Sequence, residues 1–167
     1  MIYNLPFMDD PLDQGDLLDD CPTSILKEFE LDKLESIQAE ISLRRVIVLT
    51  QTCDIANGKA DSILAATVHE AASLISSGLL KAADIKGPVR SGRVFGLYFL
   101  PANPVYGLGE MLVDFRRVHA IPPQILAKLI QGNKRIARLR TPYREHLAKH
   151  FADTYSRIGL PQPYETL

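Results

Sequence analysis

The chemistry this sequence can offer is concentrated in one stretch, Arg44-Arg45-Val46-Ile47-Val48-Leu49-Thr50-Gln51-Thr52-Cys53-Asp54. Two guanidinium groups precede an apolar run; an amide, two hydroxyls, a thiol and a carboxylate stand at its end. Cys53 beside Asp54 admits a nucleophilic reading, with His69, His119, His146 or His150 brought alongside by folding. None of the four stands at a spacing that supports it, so an unreactive loop thiol is expected. Cys21, Cys53 and His69 are a conceivable zinc set, but no Cys-x-x-Cys pair accompanies them. His146 and His150 are four apart and could share a helix face, yet they lack the glutamate of a His-Glu-x-x-His motif. They read as solvent-facing side chains beside Arg144 and Lys149. No metal and no cofactor are expected. The glycines at 87–92 and 107–109 fit no phosphate-binding fingerprint and read as loop hinges.

Charge is the second functional signal. The net charge is −1, but residues 1–40 hold eleven acidic and two basic side chains, and residues 116–157 hold ten basic and two acidic ones. Either the acidic front packs against the basic back, or the basic third meets an anion such as nucleic acid. Under the second reading Arg116, Arg117, Arg138 and Arg140 are the nucleic-acid contacts. Composition permits one domain over residues 1–167 with a real core: 46% of residues are hydrophobic and 23% charged. No window is long and apolar enough for a transmembrane helix, and Met1–Phe7 does not read as a signal peptide. With two cysteines and no secretory signal, a reduced cytoplasmic protein is expected, with no membrane partner.

Elements must position these groups. Val46 to Leu49 form a short, mostly β-branched run that fits a buried strand. Asn57-Gly58 signals a turn, and 62–68 a partner strand. Further strands are predicted over 15–18, 93–100 and 110–120. In the strand over 93–100, one of Tyr98 and Phe99 should enter the core and the other could stack on a base. Thr23 or Ser24 can cap a helix through Phe29, and Leu34, Ile37 and Ile41 could continue as an amphipathic helix, with extended structure the alternative over 31–41. Residues 69–81 favour helix, with a break at Gly78. Pro122-Pro123 opens a helix with the stripe Ile125, Leu126, Leu129 and Ile130. Residues 134–140 could be extended or helical. Thr141-Pro142 starts a last helix through Leu147, Phe151, Tyr155 and Ile158, ended by Gly159 and Pro161. This order predicts an α+β fold: an acidic arm over 1–13, a small antiparallel β-barrel with inserted helices over 14–121, and a C-terminal helix pair over 122–160.

In that order the chain resembles the PemK/MazF group of small toxins. Gly15-Asp16-Leu17-Leu18 is similar to the Gly-Asp-Ile opening of its first strand. Arg44 to Thr50 resembles its second strand, with Arg45 where the family usually has proline. Ser62 to Thr67 resembles its third strand, and Leu112-Val113-Asp114-Phe115-Arg116 a late strand that commonly runs Val-Asp-x-Ile/Val-Arg. The blocks cover about half the chain. The resemblance implies an SH3-like barrel, a homodimer, and metal-independent cleavage of single-stranded RNA by a toxin-type endoribonuclease. It places catalysis on Arg44 and Thr67, with Arg45 the alternative if the register slips by one. Gln51 and Asp54 would orient substrate, and a cognate antitoxin or another protein would be the partner. The same barrel without catalysis would be a protein-interaction module.

Overall fold

The computed structural model describes residues 2–156. Its strands are β1 (Tyr3–Asn4), β2 (Asp16–Glu30), β3 (Lys33–Val48), β4 (Ile63–Glu70), β5 (Leu97–Leu100), β6 (Met111–Ile121) and β7 (Arg135–Leu139). Its α-helices are α1 (Thr52–Ala56), α2 (Ala71–Ser76), α3 (Ala82–Asp84), α4 (Pro123–Gln131) and α5 (Tyr143–Tyr155), with a π-helical turn at Ile85–Val89. The strands form one antiparallel sheet in the order β1-β7-β2-β3-β4-β6-β5. The fold is α+β, and the sheet is not closed into a barrel by a backbone ladder. Its two ends nevertheless approach: the Tyr3 hydroxyl at one edge donates to the Pro101 carbonyl, just past β5, at 2.9 Å.

The expected strands near 46–48, 63–70, 97–100 and 111–121 are present. Residues 135–139, ambiguous from sequence, form β7 because alternate positions Arg135, Ala137 and Leu139 turn inward. α4 begins at Pro123, where a missing N–H costs nothing, and buries Leu126. α5 buries Leu147; Ile158, Gly159 and Pro161, expected to finish it, lie outside the described residues. The two C-terminal helices are not adjacent in sequence, since β7 separates them.

One expectation is overturned. Residues 23–41 are not helix but the outer halves of β2 and β3, paired from Thr23↔Ser42 to Glu30↔Lys33 around a turn at Leu31-Asp32. The same residues carry two periods. Leu34, Ile37 and Ile41 fit a helix, but Ile37, Ala39, Ile41 and Leu43 alternate and run without a break into the core strand at Val46. Continuity with that ladder decides for extended structure. Beyond Thr23 and Leu43 the pair has no other strand beside it among the described residues and projects as a two-stranded ribbon.

Three clusters make the core. The largest lies on one face of the sheet under α5 and contains Leu17, Ile47, Tyr98, Val113, Phe115 and Leu147. On the other face, Leu18, Val46, Val48, Ile63 and Ile121 pack under Leu126 of α4. Farther along, Leu112 and Leu97 pack under Ala71, Ile85 and Val89. Gly15 stands where three strands meet: its N–H donates to Val48 of β3, and its carbonyl accepts from Leu139 of β7. Its φ of +82° is open to glycine, and an added Cβ would lie 3.0 Å from that of Leu139.

Candidate functional site

Between the two smaller clusters, the sheet face they share becomes polar. Val46 pairs with Thr67 across β3 and β4, so Arg44, two residues before Val46, belongs to the same face as Thr67 and His69. On the other side of β4, the ladder with β6 slips between Ala66↔Val118 and Thr67↔Asp114. Phe115, Arg116 and Arg117 are the residues left over by this bulge, a device that re-aims side chains. It brings Asp114, Arg117 and His119 around the middle of β4.

The Thr67 side chain is 2% exposed, and its hydroxyl lies 2.9 Å from His119 Nε2. Arg44 is half-buried and steadied by a 3.1 Å bond from Nε to the Ser42 hydroxyl. Its positive charge reaches both His119 and His69. Burial pushes both imidazoles below their ordinary pKa; at His69 the Asp114 carboxylate opposes it in part, and the Arg44 and Arg117 charges act with burial at both rings. Both are therefore neutral near pH 7. His69 Nε2 stands 3.8 Å from Asp114 Oδ2, a contact between a neutral ring and a carboxylate rather than an ion pair. Burial raises the Asp114 pKa, but hydrogen bonds from the Arg116 guanidinium and backbone outweigh it and leave the carboxyl below its usual value. Arg117, with its side chain 52% exposed, comes only to 4.0 Å of Asp114 and remains open to solvent.

Two hollows flank these groups. One, of about 330 Å³, is lined by His69, Asp114, Arg116 and Arg117 and walled by Leu74, Leu79, Leu80 and Leu97. The other, of about 320 Å³, has His119 on one wall and Thr23, Ser24 and Pro122 on the others. A larger hollow of about 530 Å³ lies between the segment 8–12 and α4. Its lining is mainly apolar, with Asp9 and Asp10 as its charged groups, and it gathers no acid–base pair. The polar face of β3, β4 and β6 is therefore the candidate site: cations to hold an anion, and neutral imidazoles to move a proton.

The other expected residues lie elsewhere. Arg45 points to the opposite face, where it pairs with Asp19 at 2.6 Å and with Glu70. Gln51 stands at the N-cap position of α1, without a side-chain capping bond, and Asp54 sits in its first turn. The end of β3 at Val48 is already about 13 Å along the strand from Arg44, so neither joins the polar face. Arg138 is engaged by Asp16 at 2.5 and 2.8 Å and by the Pro11 carbonyl at 2.6 Å. Arg140 is exposed just past β7, on the far side of β2 and β3 from β4. Of the four arginines expected to meet RNA, Arg116 and Arg117 are at the site, and Arg138 and Arg140 are not.

Cys53 is exposed, and its polar neighbours are Gln51 Oε1 at 3.7 Å and Asp54 Oδ1 at 3.8 Å. Cys21 is buried in the core, which pushes its thiol up to about 11. Among the described residues, no group of three or more His, Cys, Asp and Glu is placed to hold a metal ion. His150 is not solvent-facing: it is 8% exposed and packs against Tyr98 and Phe115. His146 bonds the Tyr98 hydroxyl at 3.0 Å. Tyr98 is the aromatic that enters the core, whereas Phe99 carries the Arg90 guanidinium over its ring at 5.2 Å.

The sequence offers His69 and His119 as partners for Cys53, and His69 also as a member of a zinc set, but neither as part of this site. The signal that places them was alternation: His69 follows Thr67 by two, and His119 precedes the core residue Ile121 by two. The bulge at 115–117 hid it by breaking the count along β6. No helix is long and apolar enough to cross a membrane among the described residues. A scan against models of known protein families finds no match to this chain, and a search of curated proteins finds none either.

Proposed function

We propose that this chain is a toxin-type endoribonuclease of PemK/MazF-like character, built on a curled SH3-like sheet and cleaving single-stranded RNA without a metal. One observation carries the reading: Arg44 and the Thr67–His119 pair share one polar sheet face with Arg117. Arg44 and Arg117 hold the scissile phosphate and stabilise the charge that grows on its oxygens. Thr67, being buried, does not meet substrate. With the proton on Nε2, His119 donates to Thr67, and Nδ1 is left to accept a proton. That nitrogen takes the proton of the 2′-OH as the 2′ oxygen bonds to phosphorus. The bond to the 5′ oxygen breaks, water protonates the leaving oxygen, and a 2′,3′-cyclic phosphate remains.

The test is incubation of the purified protein with mixed-sequence RNA in EDTA. Discrete cuts bearing cyclic phosphate ends are expected. Arg44→Ala should lower the rate by about a hundred- to a thousandfold, and Arg44→Lys should not restore it, because an ammonium lacks the planar fork. RNA left intact with or without divalent metal ions would sink the reading. RNA that is neither cut nor bound would leave the second reading, a non-catalytic interaction module on the same fold that binds an antitoxin or another protein in a defence or mobile-element setting.

A further inference from the structure

The ribbon formed by the outer halves of β2 and β3 has one face that water should not see. The pairs Leu26↔Ala39 and Ser24↔Ile41 place their side chains on the same side. Ile37 and Leu43 follow from Ala39 and Ile41 by strand alternation. The slip between Leu26 and Glu28 brings Phe29 opposite Ile37 on that side. Leu26 is 71% exposed, Phe29 59%, Ile37 49%, Ile41 72% and Leu43 64%. The opposite face and the tip carry the charges, including the pairs Lys27–Glu40 at 2.7 Å and Lys33–Glu30 at 2.8 Å.

A two-stranded ribbon alone in water is marginal at best and needs its apolar face covered. We infer that a second copy of this chain covers it: two ribbons pack apolar face to apolar face, tip to base, about a twofold axis near Leu26 and Ala39. Three considerations select that occupant. The ribbon, over residues 22–43, holds five acidic and two basic side chains, which repel nucleic acid and an anionic membrane alike. An apolar strip two strands wide is matched along its length by another such strip of the same twist, and stacking two sheet faces is an established packing mode. Covering five large side chains on each copy removes on the order of 1,200 Å², which reaches the lower end of stable interfaces. The tip-to-base arrangement sends the two globular bodies to opposite ends, so they do not collide. Charged edges remain in water on both sides. This inference is independent of the RNA reading, since the ribbon face is the one opposite to Arg44.

Light scattering of the full chain at 100 µM should give twice the chain mass. Leu26→Glu combined with Ile41→Glu should give a monomer, with circular dichroism unchanged. Should that variant not fold, Ala39→Cys in a Cys53→Ser background keeps the question open to measurement. A short bismaleimide should join two copies through position 39 in high yield, and not when Cys53→Ser is treated alone. A wild-type monomer at 100 µM overturns the inference. So does a dimer that survives the double glutamate substitution, or a wild-type dimer whose position 39 cannot be linked.

Discussion

A hydroxyl that is 2% exposed and bonded to an imidazole fixes that imidazole rather than a substrate. Thr67→Val should therefore lower cleavage less than His119→Ala does, because the ring survives and only its orientation loosens. Single-turnover rates on one RNA would order the two variants; the reverse order would return the catalytic role to Thr67. The same histidines make stability depend on pH. His69 and His119 are held below their usual 6.5 by burial first; Asp114 opposes this at His69, and the Arg44 and Arg117 charges act with burial at both rings. Above pH 6.5 neither folded nor unfolded chain protonates them, and their contribution to stability is complete. As the pH falls below 6.5, the unfolded chain takes up protons that the folded one refuses, so stability declines until the folded rings titrate. Asp114, held below its usual 3.8, adds a loss at lower pH still, as its folded carboxylate is protonated. Urea midpoints should fall from pH 7 to pH 5, and should fall less in His69→Gln/His119→Gln. Arg44 was legible in the sequence because it stands just before a strand that core packing makes obvious. His119 was not, because three extra residues in β6 separate it from the strand register that explains it.

At the scale of elements, two junctions set the sheet. Gly15→Ala should destabilise the protein by roughly 1–3 kcal/mol, since alanine would be forced to positive φ and against Leu139. Thermal unfolding would show it, and an unchanged midpoint would mean that the turn relaxes. The other junction is the bulge at Asp19-Asp20, where Asp20 has a φ of +55° and β2 slips against β3. There the ribbon leaves the sheet. Strands with a buried apolar run, such as Val46–Val48, were legible because burial on both faces leaves one interpretation. The ribbon was not, because no core lies beneath residues 24–41 to select between a period of two and a period of 3.6. Its apolar residues satisfied both patterns, and only pairing between β2 and β3 decides.

For the whole molecule, the uneven charge resolves into an internal clasp. Asp16 is fully buried and takes Arg138 at 2.5 Å and Arg135 at 3.3 Å. Arg135 also donates to the Asp10 and Pro11 carbonyls, and Asp13 holds Arg144 at 2.9 Å. The acidic front is thus tied to the basic back, and this consumes arginines that composition alone assigned to RNA. Asp16→Ala would leave two guanidinium groups facing an empty anion site; removing one partner of a buried pair costs about 3–5 kcal/mol. Chemical denaturation should read a loss of that size, and a change under 1 kcal/mol would show that water enters to replace the carboxylate. Charge polarity was legible in the sequence, but its destination was not, since composition does not reveal which side chains meet.

The pairing of Tyr3 with Leu139 has a consequence for how the protein is made. The hairpins β2–β3 and β3–β4 join neighbours in sequence and can close while synthesis continues. β1 cannot: among the described residues its partner strand is β7, far later in the sequence, so Tyr3 waits until Leu139 has been made. Until then the first residues must wait beside an unfinished sheet edge, and so must the carbonyls of Phe7, Asp10 and Pro11, which Arg135 will later bind. Segments translated far apart in time must meet to complete that edge of the sheet.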